Sequence, residues 1–139
     1  MSISISTYTK NSLLSKLISD IDSGSNLSTG YIEIRTEPRP DPNLAATGTL
    51  LVAADLSNPS FGPVSNGQSL AYEITPRTSI LADGTATWFR IYNRDNIPIL
   101  DGSVSDADGD GDIKFNTSEF TAEGKIAFTN IRLVLPTLC

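Results

Sequence analysis

The sequence contains no histidine, the residue that most often serves as a general acid or base near neutral pH and as a transition-metal ligand. Nucleophile pairs of serine or cysteine with histidine are therefore excluded. The one cysteine, Cys139, cannot form a disulfide within the chain. We expect a protein that is not an enzyme and that folds without disulfide bonds.

Basic residues and long apolar runs are also scarce. Ten Lys and Arg residues stand against sixteen Asp and Glu residues, so the formal net charge is −6. Nucleic acids and anionic membranes bind mainly to clustered Lys and Arg, and we expect neither as a partner. No stretch approaches the roughly 20 consecutive apolar residues of a membrane span, and the first residues lack the basic segment of a secretory signal. These absences predict a protein made in the cytoplasm.

Two apolar segments around a polar tetrad form the centre of the predicted fold. Residues 85–92 and 97–104 flank residues 93–96, Asn-Arg-Asp-Asn. Because Asn and Asp tolerate left-handed backbone angles and bond to their own main chain, the tetrad predicts a hairpin turn. The first segment contains Trp88 and carries aromatic residues on both faces. We therefore predict a central strand there, with other parts of the chain packed on each side.

One short amphipathic helix is predicted over residues 10–22. Its apolar residues recur with a period of about 3.6 residues, at Leu13, Leu14, Leu17, Ile18 and Ile21. Thr9 or Asn11 is expected as the N-cap and Gly24 as the stop. A helix this short needs a surface to lie on, which is either the β-structure of the same chain or a partner.

The residues before the helix form a predicted N-terminal arm, residues 1–8. Serine alternates there with Ile3 and Ile5, a pattern compatible with a short edge strand or with an arm that pairs with a neighbouring subunit. A disordered tail is the alternative.

The rest of the chain reads as short strands and turns. Strands are predicted at residues 31–36, 49–56, 69–75, 113–115 and 125–135, with a β-bulge near Thr129 and Asn130. The proline-rich residues 37–48 are expected to form a surface loop. About seven or eight short strands with one helix predict a mainly β fold, an antiparallel β-sandwich. We expect residues 9–139, including the helix, to form one domain.

Residues 106–112 resemble the first half of an EF-hand calcium loop. Asp106, Asp108, Asp110 and Asp112 alternate, and Gly111 takes the sixth position. The twelfth position, where a bidentate Glu belongs, is Thr117. Aspartate–glycine repeats are also ordinary turn residues. The run thus leaves two interpretations open, a calcium site and a solvated turn, and no other cofactor is expected.

Three aromatic residues offer a second candidate site. Trp88, Tyr92 and Tyr31 could line a sugar-binding face, because flat aromatic rings stack on the apolar faces of sugars. We favour the interpretation of Trp88 as a core residue.

Four stretches together carry a resemblance: residues 46–51 (ATGTLL), 56–62 (LSNPSFG), 84–90 (GTATWFR) and 100–104 (LDGSV). In this order they resemble a family of small β-sandwich proteins encoded by tailed bacteriophages and prophages. The resemblance covers most of the chain and implies a structural component of the virion, without catalytic residues. Members of that family often have a shorter, less acidic loop after the last of these stretches, so the resemblance implies no calcium site.

The resemblance favours a capsid decoration or cement protein, which would bind the major capsid protein lattice and stabilise it through non-catalytic contacts. The expected partner is the major capsid protein or another virion protein, and the expected location is the virion. A homo-oligomer stays an open alternative. A neck, tail or baseplate component is the second hypothesis, and a carbohydrate-binding module is the third.

Overall fold

The computed structural model describes residues 3–129 and 131–134 of the chain. Its helix, α1, spans Thr7–Ile21 and so begins three residues earlier than predicted. Ser6, and not Thr9 or Asn11, is the N-cap, because its hydroxyl oxygen accepts a hydrogen bond from the Thr9 N–H at 3.2 Å. Thr7 and the residue after it therefore belong to the helix and not to the arm.

Helix α1 packs on the β-structure along a narrower face than predicted. Leu14, Ile18 and Ile21 are buried and Leu17 is partly buried, whereas Leu13 is exposed. The helix therefore covers part of the core of its own chain, as one of the two alternatives predicted. In the part of the chain that the structure describes, no helix has the length and apolar character that crossing a bilayer requires.

Ten short strands make up most of the remaining regular structure of the described residues. The strands are β1 Tyr31–Arg35, β2 Leu50–Asp55, β3 Gln68–Leu70, β4 Thr75–Pro76, β5 Gly84–Thr85, β6 Trp88–Tyr92, β7 Pro98–Asp106, β8 Ile113–Phe115, β9 Glu119–Phe120 and β10 Arg132–Val134. The mainly β class with one short helix is therefore confirmed.

The largest sheet has six strands in the order β4-β2-β1-β6-β7-β8, and two smaller sheets pair β10 with β3 and β5 with β9. All pairs are antiparallel except β7 with β8, which is parallel. The prediction of a purely antiparallel structure is wrong for this pair, because residues 107–112 turn back beside β7 before β8 begins. The sandwich arrangement of the sheets stays a prediction.

The central hairpin is confirmed. Strand β6 pairs with β7 and with β1, and its first four residues are buried. The Asn93 N–H donates to the Ile97 carbonyl at 2.9 Å, and Asn96 takes the left-handed backbone angle φ of 63° that the sequence led us to expect at this turn.

Two predicted strands differ from the structure. Residues 69–75 are divided between β3 and β4, and Leu70 and Tyr72 are exposed while Ser69 is buried. Ser69 can be buried because its hydroxyl donates to the Gly62 carbonyl at 2.7 Å. Of residues 125–135, only Arg132–Val134 forms a strand among the described residues, and the predicted bulge includes Asn130, which lies outside them.

Candidate binding surface

The acidic loop of residues 106–112 is a tight return turn. Asp106 Oδ1 accepts from the Asp108 N–H at 3.1 Å, and Asp112 Oδ2 accepts from the N–H and the hydroxyl of Ser103 at 3.0 and 3.1 Å. A Cβ atom added at Gly111 would lie 2.5 Å from the backbone nitrogen of Ser105. Glycine is therefore needed there because the loop passes directly against β7.

These contacts give two of the four aspartates, Asp106 and Asp112, a structural role in the turn. Among residues 3–129 and 131–134, no group of three or more His, Cys, Asp or Glu side chains is placed to hold a metal ion. Asp106 and Asp112 instead accept hydrogen bonds within the turn. The geometry favours the turn interpretation, and the calcium site gains no support from it.

The three aromatic residues of the proposed sugar face lie on the outer side of the large sheet. Trp88 is only 1% exposed, and its indole N–H donates to the Thr36 carbonyl at 2.8 Å, so its interpretation as a core residue is confirmed. Tyr31 and Tyr92 stack on each other with centroids 4.6 Å apart. Burial raises the pKa of both tyrosine hydroxyls. Because Trp88 and Tyr31 are buried, the three rings do not form an open platform.

A buried ion pair on this face is the polar feature that the sequence reasoning missed. Arg90 Nε donates to Asp101 Oδ1 at 2.7 Å and Arg90 Nη2 donates to Asp101 Oδ2 at 2.9 Å, and both side chains are 1% exposed. The hydrogen bond to Asp101 raises the pKa of the Arg90 guanidinium, although burial opposes the shift. A bidentate pair of this kind fixes the geometry of the two strands that carry it.

Arg90 also ties down the proline-rich loop. Its Nη1 donates to the Leu44 carbonyl at 2.7 Å and its Nη2 to the Asp41 carbonyl at 3.4 Å. The loop is therefore held across the outer face of β6 and buries the ion pair from solvent. This arrangement covers the outer face of the sheet at β6.

A long cleft runs beside β8. Three cavities of about 350, 450 and 330 Å³ each have among their walls residues of β8 or of the turn before it, together with some of the described residues 124–129 and 131–134. The first and third share Asp112, Ile113 and Ile131 as walls, and the second and third share Lys114 and Thr129. Neighbouring cavities therefore lie side by side, and we call the three together the edge cleft.

The edge cleft is bounded by a strand on each side. β8 forms one wall and β10, through Arg132–Val134, forms part of the other. In the described residues, β8 pairs only with β7, β10 pairs only with β3, and no backbone hydrogen bond joins β8 to residues 124–129 or 131–134. Within residues 3–129 and 131–134, β8 is therefore paired along one edge only, and a free strand edge readily accepts another extended chain.

The inside of the edge cleft is largely apolar where it faces the core. Its apolar lining residues include Leu14, Phe89, Leu100, Ile113, Ile131 and Leu133. At its rim Val134 is exposed, and Leu70 lies exposed on the neighbouring strand β3. Apolar surface of this kind next to an open strand edge is typical of a site for a protein partner.

Comparison with known proteins found no match: no family model, curated protein or solved structure is detectably similar to this chain.

Proposed function

We propose that this chain is a non-catalytic structural protein of a bacteriophage virion, a capsid decoration protein that binds the major capsid protein lattice. The observation that carries the protein-binding part of this proposal is the edge cleft, where an unpaired strand edge lies beside apolar walls. The virion part rests on the resemblance of the four sequence stretches to the phage family.

Those four stretches lie at the centre of the fold. They include part of β2, the chain leading to Phe61, the first three residues of β6 and the middle of β7, and they contain the buried residues Leu51, Trp88 and Asp101. The resemblance therefore concerns residues that hold the fold together. Two residues of these stretches, Phe89 and Leu100, also line the edge cleft.

A decoration protein acts by mass action. A protein that binds the assembled lattice and not the free subunits stabilises the lattice in proportion to how many sites it fills.

The copy number of the chain per particle tests the proposal. We would measure it in purified virions by quantitative mass spectrometry against the major capsid protein, with isotope-labelled peptides of both chains as internal standards. A ratio near one to one, or a simple fraction of it, would support decoration of the lattice. A ring of about a dozen copies would point to the neck, tail or baseplate, and absence from the particle would refute a virion role.

A further inference from the structure

We propose that Asn66-Gly67 is a site of spontaneous deamidation and that the side chain of Asn11, in helix α1, controls the rate of this modification. The reaction needs no partner other than water. The inference goes beyond the proposed function and does not depend on it, because it concerns the covalent state of the purified chain. It can therefore be tested without virions.

The pair Asn66-Gly67 is the one Asn-Gly sequence in the chain. Asparagine is among the thermally labile residues of proteins, and a glycine after it has no Cβ atom to keep the backbone nitrogen away from the asparagine side chain. Asn66 is also exposed, so water reaches its amide group. Among the asparagines of this chain, Asn66 is therefore the one whose sequence context most favours deamidation.

The reaction is an attack of the main chain on a side chain. The Gly67 N–H loses its proton to a base in solution, and its nitrogen attacks Cγ of Asn66. A bond forms between these two atoms and the bond from Cγ to Nδ2 breaks, so that the side-chain nitrogen takes up a proton and leaves as ammonia. Water then opens the cyclic succinimide at either of its carbonyls, which gives aspartate or isoaspartate. No electrons are exchanged with another molecule.

The labile pair is the centre of a tight hairpin turn. The N–H groups of Ser65 and Gln68 each donate to the carbonyl of the other residue at 3.0 Å. Between them Asn66 and Gly67 take positive φ angles of 55° and 72°, as in a type I′ turn. Few other residues adopt these angles readily, so the turn itself requires a pair of this kind.

Helix α1 covers the N–H that must react. The Gly67 N–H donates to Asn11 Oδ1 at 2.8 Å, and a Cβ atom added at Gly67 would lie 3.4 Å from Cδ of Lys10. Gly67 is accordingly buried, although Asn66 beside it is exposed. A base in solution can take the proton only after this contact opens. The folded chain should therefore deamidate more slowly than the unfolded chain.

Deamidation would change the turn in a defined way. Either product carries one more negative charge, and isoaspartate also adds a methylene group to the main chain of the two-residue loop. The hydrogen bonds between Ser65 and Gln68 depend on the length of that loop. The isoaspartate form should therefore lose the turn, and with it the hydrogen bond that joins Asn11 to Gly67.

A comparison of rates tests the proposal. Asn11→Ala removes the acceptor oxygen, Asn11→Asp keeps one, and Asn66→Gly keeps a residue that suits the turn but has no side-chain amide. Asp22→Ala is the matched control, because Asp22, the C-cap of the same helix, also accepts from a distant backbone N–H, that of Ser60 at 3.1 Å. The chains are incubated at mildly alkaline pH in buffer and in urea. Peptide mapping by mass spectrometry follows aspartate and isoaspartate at position 66.

We expect Asn11→Ala to deamidate in buffer about fivefold faster than the parent chain, the factor that corresponds to the loss of one ordinary hydrogen bond. Asn11→Asp and Asp22→Ala should react at nearly the parent rate, and Asn66→Gly should not react at this position. In urea all chains that contain Asn66 should react at one common rate. Hydrogen exchange of the Gly67 N–H should be faster in Asn11→Ala by the same factor, because both reactions need the same local opening.

Two results would overturn the proposal. One is an Asn11→Ala chain that deamidates in buffer no faster than the parent, and the other is an Asp22→Ala chain that is accelerated as much as Asn11→Ala, since global stability would then set the rate. Should Asn11→Ala lose its cooperative thermal transition, the parent chain decides the question. Its deamidation must be slower in buffer than in urea by the factor by which folding slows exchange of the Gly67 N–H, and equal rates in the two states would refute control by the fold.

Discussion

Removing the Asp101 carboxylate would leave the Arg90 guanidinium in a site that water does not reach. The two side chains form two hydrogen bonds of 2.7 and 2.9 Å, and each is 1% exposed. Arg90 would keep the carbonyls of Leu44 and Asp41 as partners, but it would have no counter-charge. We therefore expect Asp101→Ala to lower the free energy of unfolding by about 3–5 kcal/mol, as for other buried pairs broken on one side.

The chain supplies a matched control. Asp55 and Arg77 are joined at the same distance, 2.7 Å, but their side chains are 46% and 39% exposed. Solvent screens this pair, so Asp55→Ala should cost less than about 1 kcal/mol. The double variant Arg90→Met/Asp101→Leu should cost less than Asp101→Ala alone, because it removes both buried charges at once.

Equilibrium unfolding in urea, followed by Trp88 fluorescence and by circular dichroism, gives the free energies. The slope with urea must be the same for all variants if the comparison is to report on stability. A cost for Asp101→Ala no larger than that for Asp55→Ala would refute the argument that burial makes the Arg90 pair critical.

Three further outcomes are expected. Gly102→Ala would place a Cβ atom 2.3 Å from the Phe89 ring and should lower the free energy of unfolding by about 1–3 kcal/mol. Gly62→Ala serves as the control, because its new Cβ atom would have no neighbour closer than 3.5 Å, and it should be nearly neutral. Equal costs of the two variants in urea unfolding would contradict this reasoning. Hydrogen bonds from the N–H groups of Ser25 and Asn26 lower the pKa of Asp95 in the folded protein. The ionised Asp95 carboxylate therefore stabilises the fold above the pKa that Asp95 has in the unfolded chain, and this stabilisation disappears as the pH falls through its pKa in the folded protein. Asp95→Asn should therefore lower the melting temperature at neutral pH and leave it unchanged near about pH 2, and a difference that persists in acid would exclude this cause. Millimolar calcium, and then a chelator, should leave the melting temperature unchanged, since a rise would show that residues 106–112 bind the ion in the folded state.

Local apolar patterns and the polar turn residues 93–96 were sufficient to predict the helix, β1, β2 and the hairpin, because each signal lies within one short stretch of the chain. Periodicity misled at residues 125–129, where Ile126 and Phe128 pack against the core although these five residues form no strand. Phe128 meets the Phe115 ring edge-on, with centroids 5.5 Å apart. Alternating apolar residues therefore indicated burial there, and burial was mistaken for strand pairing.

The edge cleft could not be predicted from the sequence. β8 lies near β10 only because β8 ends the order of the six-stranded sheet and β10 joins a different sheet. No single segment of the sequence indicates either of these two positions.

The buried ion pair depends on one residue of register. Tyr92 faces Pro98, and a bulge then shifts the pairing so that Ile91 faces Leu100 and Arg90 faces Asp101. Continued without the bulge, the register at Tyr92 would set Arg90 opposite Leu100 and leave its charge unpaired inside the protein. Because an unpaired buried guanidinium is far costlier than a bulge, the Arg90–Asp101 pair itself selects the shifted register. The proline-rich loop binds the same guanidinium through its carbonyls, so one arginine side chain holds both the strand pair and the loop.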